Sequence, residues 1–340
     1  MSGTADHNVT GQDYSQREHF RYVGLPIIDI HSHVTMTKAT DKPDGPAGGA
    51  GREGSSDAAA LMLDIGTKFN IGLTVSMCPA SDIAPLRERL GAKIRFNAMI
   101  GKKPDDPDEV AYRNLDEFLA AGIDIVKLWA APRGRDRGYT LDPPWRIELI
   151  RRAHAAGIRI AMVHVGDPDR WFSTVYTDTA KFGTKADQYV PLRRMIEMFP
   201  DMTWIGAHMG GDPEHADHLE ALIQAYPQLH FDTSATKWQV REVSKNRDAI
   251  RSLVMRYPDR FLFGSDLVTR HGLPPEHYMS RYWCQRTLWE SEWEGPSPIA
   301  DPDHVAAEGE APTPMLRGLG LPADVLEKVY VRNSERILGL

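Results

Sequence analysis

The chain has 340 residues, 41% of them hydrophobic and 26% charged, and a formal net charge of −7. That length suits one large domain or two ordinary ones, and the composition is that of a soluble globular protein. The acidic balance offers no broad basic surface, which argues against a nucleic-acid binder or a protein held on anionic membranes. The two isolated cysteines, Cys78 and Cys284, support neither a disulfide framework nor a cysteine zinc site, and a reducing cytoplasm is expected.

Residues 1–23 are polar, without the apolar core of a signal peptide, and read as a loose leader before a single domain over 24–340. LPIIDI (25–30) is the first buried strand, followed by His31-Ser32-His33. The stretch 37–57 is rich in Gly, Pro and Asp and reads as a long loop, which in a compact domain is functional or disordered. A regular alternation follows. Helical patterns cover 55–70, 108–122, 143–157, 189–200, 213–227 and 240–258, with a shorter one at APLRERLGA. Strand patterns cover 71–77, 94–100, 123–130, 158–165, 202–208, 229–235 and 261–266. An aromatic, Pro-rich insertion over 267–320 leads to a last helix at 322–340.

Several of the eight strands are unbroken apolar runs, as in parallel sheets buried on both faces. Eight strands alternating with helices predict an α/β fold, a (β/α)8 TIM barrel with a long loop after the first strand and an extended C-terminal segment. An open doubly wound sheet is the runner-up, weakened by the lack of a Gly-rich phosphate loop after the first strand.

In a barrel the C-terminal strand ends share one mouth, where active sites of this fold lie. Residues i and i+2 of a strand point the same way. His31 and His33 therefore address one spot, joined from other strand ends by Lys127, His164, His208, Asp232 and Asp266. Imidazole and carboxylate donors suit Zn²⁺, Mn²⁺ or Fe²⁺, with zinc the leading expectation. His31, His33, His164 and Asp266 would hold one divalent ion, and Asp266 would also take a proton from its water. His208 would polarise the substrate carbonyl or move a proton, or else serve as a ligand.

IDIHSHV, AMVHVGDP, WIGAHMGG, FLFGSD and the closing KVYVRNSERILGL, in that order, resemble the amidohydrolase superfamily. The Gly-rich turn after His208 and the C-terminal ending are similar to its family 2, which contains hydrolases, a lactonase, a hydratase and non-oxidative decarboxylases such as aminocarboxymuconate-semialdehyde decarboxylase. The resemblance covers about residues 25–340. It implies a metal-bearing barrel, places His31, His33, His164 and Asp266 at the family's ligand positions, and matches His208 to its catalytic histidine. Some superfamily members carry a carbamylated lysine bridging two ions. Lys127 is either such a bridge, with His164 and His208 on the second ion, or a plain lysine bound to a carboxylate.

Lys237 and Arg241 stand four apart on a helical pattern after the seventh strand, a cationic pair suited to a carboxylated substrate. Trp129, Arg133, Tyr139, Trp171 and Tyr176 either line an aromatic pocket or cover the barrel. His154, His215, His218 and His277 read as solvated. The segment 281–295 is too aromatic for a solvated linker: it covers the mouth, packs on the barrel flank or forms a subunit contact, and a homodimer is expected. The leading expectation is a metal-dependent hydrolase acting on an amide, ester or lactone of a small, carboxylated molecule. A decarboxylase or other lyase on the same site is the alternative, ahead of an iron-dependent oxygenase and a metal-free binding protein.

Overall fold

The computed structural model describes residues 5–36 and 56–340. Seven of the expected strands run parallel in chain order: β1 (Ile27–His33), β2 (Ile71–Met77), β3 (Ile94–Met99), β4 (Ile125–Trp129), β5 (Ile160–His164), β6 (Thr203–Gly206) and β7 (Leu229–Asp232). The eighth stave is interrupted. Its first half, β8 (Phe261–Leu262), pairs with β7, and its second, β9 (Leu267–Val268), pairs with β1. Between them Ile30 N donates to Phe263 O at 2.9 Å and Asp266 N to His31 O at 2.8 Å. The last stave is thus bonded on both sides, and the sheet curls round as a TIM-barrel-like α/β fold.

The connections carry α1 (Ser56–Lys68), α2 (Ala80–Leu90), α3 (Asp108–Ala121) and α4 (Pro144–Ala155). After β5 come α5 (Asp169–Thr174), α6 (Thr179–Phe182) and α7 (Lys185–Met198), then α8 (Ala216–Ala225), α9 (Thr236–Trp238) and α10 (Arg247–Arg256). α3 stops at Gly122, whose φ of 84° is left-handed backbone that costs glycine little. α7 starts at Lys185 rather than at 189, because Thr184 and Asp187 form a capping box ahead of the apolar pattern.

The insertion after β9 departs most from expectation. It is built on a 16-residue helix, α11 (Pro275–Glu290), of which twelve residues are buried, Trp283 and Trp289 completely. A helix buried all round has no polar stripe, so its 3.6-residue period is invisible in sequence. Its aromatic side chains pack inside their own chain. The closing segment forms α12 (Ala323–Glu327) and α13 (Asn333–Leu338) on either side of a π-helical turn.

Residues 5–23, expected as a loose leader, are docked on α11. Trp283 Nε1 donates to Gln16 O at 3.2 Å, and Tyr22 N donates to Glu290 Oε2 at 3.0 Å. Arg286, ion-paired with Glu290, donates to Tyr22 O at 2.8 Å. The expected loop at 37–57 falls outside the described residues up to position 55. No described helix is long and apolar enough to cross a membrane.

One buried histidine within the sheet makes the fold acid-sensitive. His230 lies inside β7, where burial, and then the charges of Arg260 and Arg336, push its imidazole down to about 4. The unfolded chain takes up that proton near pH 6.5. Its contribution is therefore complete above pH 6.5 and disappears as pH falls toward 4, on the order of 3 kcal/mol. Urea melts at pH 7 and pH 4.5 should show this loss shrinking in His230→Gln. An unchanged loss would contradict the assignment.

Candidate active site

The mouth is assembled from strand ends, as the barrel requires. β1 carries a register shift against β2 between Asp29 and Ser32, a bulge at the point where the strand delivers His31. His31 is fully buried, while the side chains of His33 and Asp266 keep 25% and 31% exposure to the mouth. His31 Nε2 and His33 Nε2 lie 3.4 and 3.0 Å from Asp266 Oδ1. One donor atom from each of the three residues falls within 4.8 Å of the others.

A second group, His31, His208 and Asp232, is as close, but its atoms are already committed to one another. Asp232 Oδ2 is 2.8 Å from His31 Nδ1, and Oδ1 accepts from the backbone N–H of His208 at 2.8 Å and of Ser234 at 3.0 Å. The Ser234 hydroxyl donates to the same carboxylate. Its single proton is thereby used. His31 Nδ1 and His208 Nδ1, at 2.9 and 2.7 Å from Ser234 Oγ, must then both donate. This proton count, an assignment from the network, leaves Nε2 of both rings unprotonated, that of His31 facing Lys127 Nζ. Burial raises the Asp232 carboxyl, but its contacts with His31 and the Ser234 hydroxyl more than offset that, so it stays well below the usual carboxylate range.

Charges at the mouth match a cation's needs. Burial pushes the His33 imidazole down to about 4, against the pull of Asp266. His208 is pushed well below its usual value by burial and then by His164. Both rings are neutral near pH 7, as ligation or proton acceptance demands. At Asp266 burial works upward, but the His33 hydrogen bond and the surrounding imidazoles hold it well below the usual carboxylate range.

Lys127, on β4, puts Nζ 2.6 Å from His31 Nε2, and burial lowers it to about 8 against the pull of Asp266 and Asp232. His164, expected as a fourth ligand, is not in the three-residue group: its Nε2 is turned to Asp167 Oδ1 at 2.8 Å. Tyr176 donates to the other oxygen of Asp167 at 2.7 Å. The His164 ring meets His208 edge-on at 4.7 Å. Gly210 and Gly211 permit this approach of the β5 and β6 loops: a Cβ on Gly211 would lie 1.9 Å from Gly166 O.

The flanking residues divide. Trp129 meets His164 edge-on at 6.4 Å, and its carbonyl is held by the buried Arg146 at 2.8 Å. Arg133 is exposed, near the Tyr176 hydroxyl. Trp171 packs at 5.2 Å on Trp238, which the sequence reading passed over and which lies 5.4 Å from His208. Tyr139 is buried and donates to Lys102 O at 2.9 Å. Arg241 does not pair with Lys237 at the mouth. It is 2% exposed, and Glu242 and Asp301 bind its guanidinium within the π-helical turn that follows α9. His215 and His218 both bind Asp212 at 2.6 Å, and His277, expected in solvent, is buried.

Asp29 and Ser265 were also missed. Asp29 accepts from Ser265 Oγ at 2.5 Å and from Ser265 N at 3.0 Å, anchoring the turn that ends in Asp266. The backbone there is left-handed, with φ of 56° at Asp266 and 59° at His208. Such φ values in residues other than glycine cluster at functional sites.

A barrel with two histidines on its first stave, one after β6 and an aspartate on its last defines the class. Residues 28–340 match the amidohydrolase family, and the chain belongs to it. No curated protein matches the sequence. Among solved structures the fold is similar to the 2,6-dihydroxybenzoate decarboxylase from Rhizobium, with a TM-score of 0.52 at 13% identity, over 93% of this chain and 99% of that one. It is similar to the 5-carboxyvanillate decarboxylase from Sphingomonas paucimobilis, at 0.52 and 13%, over 93% and 100%. It is also similar to a probable 2-pyrone-4,6-dicarboxylic acid hydrolase from Acinetobacter baumannii, at 0.50 and 11%, over 93% and 100%. At these identities the likeness is one of fold.

Proposed function

We propose that the chain is a metal-dependent hydrolase of a small carbonyl compound, an amide, ester or lactone. The observation that carries this is the convergence of His31 Nε2 and His33 Nε2 on Asp266 Oδ1 beside a third histidine, His208, whose Nδ1 is held by Ser234. The donor set fits a divalent ion: two neutral imidazoles, one anionic carboxylate, and a carboxylate behind His31 fixing its tautomer. His31, His33 and Asp266 would hold the ion, with His164 adjoining. Such an ion acidifies water toward neutrality and polarises a carbonyl. His208 Nε2, fixed by Ser234, accepts the proton of the attacking water and returns it to the leaving group. Asp266, partly open to the mouth, is the second proton acceptor. Trp238 and Trp171 wall the site and exclude water from the side of His164 and His208.

Those same indoles favour a second reading, a non-oxidative decarboxylase of an aromatic acid, in which His208 delivers a proton to the ring carbon that loses CO₂. Two of the fold relatives are decarboxylases of aromatic acids and one is described as a probable hydrolase. The test is the product. In ¹⁸O-water, hydrolysis places label in the released acid, whereas decarboxylation releases CO₂ and leaves the other oxygens unlabelled. A panel of aromatic esters, lactones and hydroxybenzoates should give label incorporation that stops on chelation. CO₂ release without label would replace the first reading by the second, and turnover surviving complete demetallation would contradict both.

A further inference from the structure

The turn that carries His208 is strained, and its surroundings must hold it. Four consecutive residues have left-handed backbone: φ is 59° at His208, 54° at Met209, 69° at Gly210 and 74° at Gly211. Glycine takes this conformation at little cost, whereas a histidine and a methionine do not. Such strain persists only where neighbouring contacts fix it. Asp232 secures the start of the turn through the backbone N–H of His208. The rest is secured from the opposite side, by α7.

Lys185 and Tyr189 stand four apart on α7 and therefore share a face. The buried Tyr189 donates its hydroxyl to Gly210 O at 2.9 Å. Lys185 Nζ lies 2.7 Å from Oδ1 of Asp212, the residue directly after the turn, and 2.6 and 3.1 Å from Asp169 Oδ1 and Glu214 Oε2. Glu214 Oε1 in turn accepts from Asp169 N at 2.8 Å. His218, bound to Asp212, meets the Tyr189 ring edge-on at 4.6 Å. Asp169, Asp212, Glu214 and His215 converge as if on a cation, and the Lys185 ammonium is the cation they hold. Burial works against that ammonium, but the charges of Asp212 and Glu214 more than offset it and keep it above the usual lysine range. Lys185 thus ties the loop after β5, through Asp169, to the loop after β6, through Asp212. Those two loops follow His164 and His208.

We propose that Lys185 and Tyr189 are positioning residues, which hold the left-handed turn that sets the His208 ring at the mouth. Without them His208 and Met209 relax toward right-handed backbone, and His208 Nδ1 leaves Ser234 Oγ. The expected effect on turnover rests on the reading of His208 as the proton carrier, whereas the effect on the turn does not.

Lys185→Met and Tyr189→Phe in the full chain test this. The first removes the ammonium. The second removes one hydroxyl and keeps the packing, so it decides the matter should the first fold poorly. The amides of Gly211 and Asp212 bond within the turn. In both variants their hydrogen exchange should quicken about tenfold or more, while β1 and β8 exchange as in the wild type. In ¹⁵N-histidine-labelled protein the His208 ring, identified from His208→Gln, should be protonated at Nδ1 in the wild type and shift toward the Nε2–H tautomer in the variants. Metal content should stay that of the wild type, because His31, His33 and Asp266 lie on other staves. On an ester, lactone or hydroxybenzoate that the wild type turns over, kcat should fall about 10–100-fold with KM nearly unchanged. Exchange and tautomer unchanged in both variants overturn the proposal. Faster exchange throughout the sheet also overturns it, since the clasp would then support the fold at large. A shifted tautomer with kcat untouched leaves the clasp standing and removes His208 from the reaction.

Discussion

Asp266→Asn is expected to lose its bound metal and about 10³-fold or more in turnover, with Tm changed by only a few degrees. Asparagine keeps the shape and, like aspartate, tolerates left-handed backbone, so the φ of 56° at this position is not a cost of the substitution. It removes only the charge. Two neutral imidazoles then face the mouth without an anionic donor, while the last stave keeps its bonds to β1 and β7. The side chain stands at the mouth and not in the apolar core, which is why the fold should survive. Metal content and circular dichroism on the same preparation are the measurement. A variant with full metal and full turnover would remove Asp266 from the site.

Asp232→Asn should act differently, through His31 and His208 rather than on the ion. The carboxylate accepts from His31 Nδ1, from two backbone N–H groups and from the Ser234 hydroxyl. An amide has one acceptor oxygen and would turn an NH₂ toward donors. His31 relieves that clash by moving its proton to Nε2, the atom proposed to hold metal. Metal affinity should fall by about 10–100-fold. Stability should fall too, by about 1–3 kcal/mol for the buried donors left unpaired. Excess metal should restore part of the turnover of Asp232→Asn and none of that of Asp266→Asn. Equal rescue of both variants would show that Asp232 does not act through the tautomer of His31.

Much of this site was legible because a barrel converts order along the chain into position around a ring. Strand ends could be found from apolar runs, and their polar terminal residues then had to meet. The fold followed from that order, and the family from the resemblance carried by the motifs around His31, His164, His208 and Asp266. What stayed hidden depends on side-chain direction and on burial without periodicity. Nothing local separates Ser234 from an ordinary helix cap, and its role appears only when His31 and His208 arrive from other staves. Arg241 looked available at the mouth, yet a π-helical turn buries it against Glu242 and Asp301. His277 looked solvated because α11, buried all round, shows no amphipathic stripe. Sequence alone left the aromatic insertion as a cover for the mouth, a layer on the barrel flank or a subunit contact, and Trp283 and Trp289 are buried inside the chain. A homodimer therefore needs another surface, and we propose it only as an expectation for solution scattering to test.

Elemental analysis of the purified protein, before and after reconstitution, tests the central claim most directly. The geometry predicts about one divalent ion per chain, lost on substitution of His31, His33 or Asp266. Two ions would instead bring in Lys127 and His208 as ligands. No bound ion after reconstitution with zinc, manganese or iron would contradict the reading of His31, His33 and Asp266 as a metal centre.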